Sequence, residues 1–233
     1  MKGFDLSAIL FNPIYAHLLL DGLKMTFIVA IGSWVLAMTL AIGLVIVRLG
    51  SSRFADRAVA AYVAYHSNVP TLVQLMLWYF GIASILPTVV QDWLNDHNAE
   101  MIFAIVSLGL CQAAFFCEDL RSGLRAVPAG QAEAARALGH SYLGAMRDVL
   151  LPQALRNSLP ALINHTVSLF KNSSLAMAIG VAELTGTVKE IESTSFRPFE
   201  TYLIATVLYL LCSLLLMAGG ALLNRRLNLA WER

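Results

Sequence analysis

With 233 residues, 58% of them hydrophobic and 13% charged, the chain is too apolar for a soluble domain and suits a membrane protein. A net charge of +1 points to no nucleic acid or other polyanionic partner. Cys111, Cys117 and Cys212 all lie within apolar segments, which argues against a disulfide framework, and no metal-ligand spacing occurs.

Residues 1–23 carry no basic stretch leading into a cleavage site, so no removable signal peptide is expected. Residues 4–20 are fairly apolar but contain Asp5, Asn12, Pro13 and His17, and read as an interfacial lead-in. The first crossing is expected at 25–47, which is uncharged and long enough to span. Ala37 and Ala41 within it have the small-xxx-small spacing that lets a second helix approach. Arg48, Arg53 and Arg57 follow and mark that end as cytoplasmic.

Residues 58–91 hold no charge and exceed one straight crossing. Pro70 divides them, so a long helix kinked near Pro70 is expected, leaving the bilayer around Leu86 and Pro87. Gln74 in this apolar run is a candidate for a transport path or for a hydrogen bond to a neighbouring helix. The loop at 91–100 holds Asp92, Asp96 and Glu100 with no Lys or Arg, and reads as external. A third crossing at 101–117 runs into Glu118 and Arg121, spaced for a helical ion pair.

The stretch 128–152 is the long polar interruption with a strong helical reading. Pro128 can open a helix at its first position, and Gln131 to Leu138 is rich in good helix formers. Gly139 can close that helix in a left-handed cap, and Ser141 can cap a second helix that ends before Pro152. On helix chemistry alone this is an ordinary amphipathic loop.

The fourth crossing, 158–178, contains Asn164, His165, Thr166, Ser168, Lys171, Asn172, Ser173 and Ser174. Such a helix cannot face lipid all round and must line a cavity or pack within protein. Asn164, Ser168 and Lys171 share one face. Lys171 can attract a substrate carboxylate or pair with an acid such as Glu118, and His165 reads as a hydrogen-bonded core histidine. A mixed external loop at 181–199 leads to an uncharged fifth crossing at 202–223. Five crossings, with the N-terminus outside, place Arg48, Arg53, Arg57, Arg121, Arg125, Arg136, Arg147, Arg156, Arg225, Arg226 and Arg233 inside. Only Lys2, Lys24, Lys189 and Arg197 then fall outside, as the positive-inside rule requires.

Glu133-Ala134-Ala135, three residues, Gly139, nine residues, Val149, one residue and Leu151-Pro152 resemble the EAA signature of ABC importer permeases. Val149 stands where that family usually has isoleucine. Asn68 to Gln74 and Lys171-Asn172-Ser173-Ser174-Leu175 are similar to segments of polar amino-acid permeases, as are Glu118-x-x-Arg121 and Val181 to Thr185. Those relatives usually carry an arginine shortly before Pro70, and many have an acid at the position of His165. The resemblance implies a single all-helical permease domain over 1–233 with the type I importer fold. It makes Glu133, Ala134, Ala135, Gly139, Val149, Leu151 and Pro152 the coupling element for a cytoplasmic ATPase. It also implies a second permease subunit, identical or not, an extracytoplasmic substrate-binding protein, and residence in a bacterial inner membrane. The candidate substrate path is Gln74, Asn164, His165, Ser168, Lys171, Asn172 and Ser173. The variants around Asn68 and Lys171 look most like permeases for glutamate, aspartate or their amides.

A membrane enzyme would need a nucleophile–base or metal constellation, and neither paired intramembrane carboxylates nor a histidine cluster is present. No phosphate-cradling G-x-x-x-x-G-K-[ST] occurs, so ATP and Mg belong to the partner ATPase and no cofactor is expected on this chain. A secondary transporter would be built from two related halves, whereas this chain has no internal repeat.

Overall fold

The computed structural model describes residues 4–50 and 52–229, and every regular element among them is helical. Lys2 and Arg233, used in the charge distribution above, lie outside the described residues. A short helix α1 (Ser7–Leu10) precedes α2 (Pro13–Leu49). Asn12 caps α2 by accepting from the Ile14 N–H at 3.0 Å, and Pro13 occupies the first turn, where its missing N–H costs nothing. The expected lead-in is therefore split, its second half forming the opening turns of α2.

After α2, Ser52 caps α3 (Arg53–Asn68). The chain then turns at Val69 and Pro70 into α4 (Thr71–Ile85), whose middle turn Leu77–Ile82 is π-helical. Helices α3 and α4 meet at 106°, so the expected kinked helix is two helices at a corner. Proline can neither donate to the preceding turn nor leave the residue before it helical, and here both effects act without intrahelical bonds across the break. Helix α5 (Thr88–Asp96) follows Pro87, and Asn98 in left-handed geometry (φ 66°) separates it from α6 (Ala99–Arg125).

Helix α7 (Ala129–Ala137) begins the polar interruption. Helix α8 covers 142–172 and combines an α-helical turn Tyr142–Ala145, a π-helical turn Met146–Leu150 and the α-helix Leu151–Asn172. A 3-10 segment Ser173–Ile179 continues it to Gly180, where φ is 95°. The last two elements are α9 (Leu184–Ser195) and α10 (Pro198–Leu229). Two stretches expected as loops thus contain helices. In α9 the reason is legible: Leu184, Val188 and Ile191 are all buried at helical spacing, while Lys189 and Glu190 face out. Glu183 caps α9 by accepting from the Thr185 and Gly186 N–H groups, and it also accepts from the hydroxyls of Tyr209 at 2.7 Å and Thr26 at 3.5 Å. Burial pushes this carboxyl above the ordinary carboxylate range.

The centre of the molecule is the packing of α2 on α6. Ala37 and Ala41 are fully buried among Ala113, Phe116 and Cys117, so the small residues do admit a neighbouring helix. Helices α2, α6 and α10 are each long and apolar enough to cross a membrane, and the bent pair α3–α4 passes the same criterion jointly. Helix α8 has the length but not the apolarity, because its polar residues lie along it.

Candidate coupling element and polar helix

The polar interruption folds as a helix, a bend and a helix. Pro128 sits at the cap position, one residue earlier than expected, and Ala129 opens α7. At the other end the Gly139 N–H donates to the Arg136 carbonyl at 3.0 Å and the His140 N–H to the Ala135 carbonyl at 3.1 Å. This crossed pair is a Schellman motif, with Gly139 left-handed at φ 91°. Ser141 then caps the next turn by accepting from the Gly144 N–H at 3.1 Å.

The second helix does not end before Pro152. The π-helical turn at Met146–Leu150 widens the spiral, and Pro152 falls at the second position of the α-helix that follows. There the i−4 hydrogen bond that proline cannot make is already lost to the change of helix type, so the chain continues unbroken.

Among the motif residues, Glu133, Ala134, Gly139 and Leu151 are exposed, Val149 and Pro152 are half-buried, and Ala135 is buried against the second helix. The bend also displays Leu138, Tyr142 and Leu143, which are 83%, 65% and 76% exposed. Sequence reading passed over these three, although apolar side chains flanking a capped glycine are the signal of a presented surface. Both stems return to the membrane part at one close crossing. A Cβ on Gly123 would stand 2.4 Å from the Ala154 carbonyl oxygen and 2.7 Å from Ser158 Cβ.

Helix α8 carries an outward polar stripe. Asn157, Asn164 and Lys171 are exposed on one face, with Ser168 half-buried beside them. Lys171 makes no ion pair among the described residues, and Glu118 is taken by others: it accepts from Arg48 and, at 3.4 Å, from Arg121. The expected Glu118–Arg121 pair is therefore present and extended by Arg48, which also holds Asp56 at 2.9 Å. His165 Nδ1 lies 2.6 Å from Asp119 Oδ2 and its ring packs 5.2 Å from that of Phe115. Nothing in the sequence links Asp119 to His165, 46 residues away, and only the packing of α6 on α8 brings them together.

The other path candidates are turned inward. Ser173 is buried and donates to the Phe170 carbonyl at 2.7 Å, and Asn172 is half-buried. Gln74 is 1% exposed and fills the α3–α4 corner. Its amide nitrogen donates to the carbonyls of Val69 at 2.7 Å and His66 at 3.1 Å, and its oxygen lies 2.5 Å from His66 Nδ1.

The all-helical fold, with a capped helix–bend–helix between long apolar helices, is that of a permease of the type I ABC-importer class. The chain belongs to the family described as binding-protein-dependent transport system inner membrane component, whose model matches residues 35–229. It is 30% identical over 222 residues to the glutamate/aspartate import permease protein GltJ of Escherichia coli (strain K12), covering 94% of this chain and 90% of that one. It is also 30% identical over 211 residues to the arginine transport system permease protein ArtQ of Bacillus subtilis (strain 168), covering 90% and 92%. A crystal structure of an amino acid ABC transporter with histidines superposes with a TM-score of 0.83 at 29% identity, covering 97% of this chain and 100% of that one. The methionine ABC transporter MetNI, at 22% identity and a TM-score of 0.67, shares the fold.

The chain is thus the permease subunit of an amino-acid ABC importer, a transport subunit and not an enzyme, with ATP hydrolysis in a separate subunit. Such a permease implies an ATPase and a substrate-binding protein as partners.

Proposed function

We propose that the chain crosses a bacterial inner membrane five times, N-terminus outside, and carries glutamate, aspartate or their amides by alternating access. Residues 128–152 dock in the ATPase, and two permease copies, identical or not, enclose the path. ATP and Mg stay on the ATPase, and this chain binds no cofactor. Closure of the ATPase dimer moves the bend at Gly139, and the close crossing at Gly123 passes that movement to α6 and α8.

The observation that carries the substrate reading is Lys171, an exposed cation on the polar stripe with no ion pair among the described residues. Away from bulk water such a charge calls for an anion, and a ligand carboxylate supplies one. The relatives' names span glutamate/aspartate and arginine, so kinship does not choose the cargo. A secondary transporter is not favoured, since the family works with a binding protein.

Uptake by the reconstituted complex tests this. Glutamate, aspartate, glutamine or asparagine should compete, and Lys171→Met should raise the apparent KM by about tenfold or more, the loss of one charge-assisted hydrogen bond. Competition by arginine or lysine alone, or an unchanged KM in Lys171→Met, contradicts the proposal.

A further inference from the structure

The junction where α2 ends, α3 begins and α6 leaves the membrane part holds a cavity of about 200 Å³. Arg48, Arg121 and Arg125 line it together with Asp56, and Leu49 and Leu124 supply an apolar wall. Arg53 and Arg57 stand on an adjoining cavity that shares Arg48 and Asp56. Five arginines thus face two carboxylates, Asp56 and Glu118, leaving three positive charges in excess.

The arginines are not equivalent. Arg48 is held in place, its side chain 8% exposed, by Asp56 and Glu118, and Arg121 is tied to Glu118. Arg125 is exposed and makes no ion pair among the described residues. A rigid pair of guanidinium groups beside a free one suits a phosphate, whose oxygens accept in the fork geometry that arginine offers. The apolar wall asks for more than an inorganic ion. Ile46 and Phe54, next in sequence to the lining residues Val45 and Arg53, are 63% and 83% exposed, so the lining segments also present apolar side chains suited to hydrocarbon.

We infer that this cavity binds the phosphate headgroup of an anionic phospholipid of the cytoplasmic leaflet, with the glycerol end of its chains against Leu49 and Leu124. The inference rests on the proposed orientation, in which this arginine-rich end is cytoplasmic, the side where anionic lipid attracts arginine. The site sits at the base of α6, the helix that leads into the coupling element, so occupancy would brace one stem of that element.

Native mass spectrometry of the delipidated complex in detergent tests the site. Short-chain phosphatidylglycerol should be retained, phosphatidylcholine of equal chain length should not, and inorganic phosphate should compete poorly. Arg125→Gln should weaken phosphatidylglycerol retention about fivefold, the effect of one arginine at an anionic surface. Arg125→Lys should keep most of it, and Arg226→Gln, at the end of α10, should leave it unchanged. Equal retention of both lipids, no effect of Arg125→Gln, or full competition by inorganic phosphate each overturns the proposal, the last by assigning the site to a soluble anion. Binding in detergent does not depend on which face is cytoplasmic. An error in orientation would show instead in thiol labelling at Ala129.

Discussion

Gly123 sets how closely the two stems of the coupling element approach. With a Cβ at this position 2.4 Å from a backbone oxygen of α8, no side-chain rotation can relieve the clash. Gly123→Leu should therefore push α6 and α8 apart at about 1–3 kcal/mol or more, the cost of overpacking. A lowered thermal midpoint of the purified complex, with weaker coupling of uptake to ATP hydrolysis, is the expected outcome. Wild-type stability in this variant would mean the helices are further apart than described. Nothing in the sequence marks Gly123, because small residues abound in membrane helices. Gly139 was legible, since the helix formers before it and Ser141 after it leave a left-handed cap as the natural join. The same difference separates Lys171, conspicuous as a charge in an apolar region, from Asp119, whose meaning comes from His165 on another helix.

Among the elements, the corner between α3 and α4 is where sequence reading located the event and misjudged its size. Pro70 announced a break, but proline alone does not distinguish a kink from a 106° turn. What permits the larger angle is Gln74, whose amide satisfies the carbonyls of His66 and Val69 left open at the corner. Gln74→Leu keeps the volume and removes the donors, so two buried carbonyls lose their partners at about 1–3 kcal/mol each. The expected result is a marked loss of stability in detergent with the substrate profile of any surviving uptake unchanged. A changed substrate preference at wild-type stability would instead place Gln74 on the path. The π-helical turn at Met146–Leu150 taught the converse lesson, that a proline expected to end a helix can sit inside a longer one when the spiral widens before it.

At the scale of the whole molecule, the proposed membrane orientation rests on arginine placement, and the fold gathers three of those charges at one junction. Arg48, Arg121 and Arg125 meet at one junction, and the stem of α7 begins four residues beyond α6. The acidic loop residues at Asp92 and Asp96 belong to α5, which follows the far end of α4. In a cysteine-free background, Asp96→Cys should react with an impermeant thiol reagent from outside, and Ala129→Cys only after the inner face is opened. The reverse labelling would invert the topology. Both positions are exposed, so access is decided by the membrane and not by burial. The crossings at α2, α6 and α10 were legible as long apolar runs, whereas α8 was legible only as a helix that lipid could not surround.

In the proposed mechanism the bend at Gly139 carries the work of a separate ATPase into this chain. A Cβ there would meet nothing within 4 Å, so within the subunit a larger side chain adds only the strain of φ 91°, about 1–2 kcal/mol. Any steric effect of its bulk must come from a partner. The deciding measurement is substrate-stimulated ATP hydrolysis by the reconstituted complex carrying Gly139→Phe, alongside the amount of permease inserted and of ATPase retained. Normal insertion is expected, with stimulated hydrolysis lost or the ATPase absent from the complex. Normal assembly with unchanged hydrolysis and uptake would contradict it.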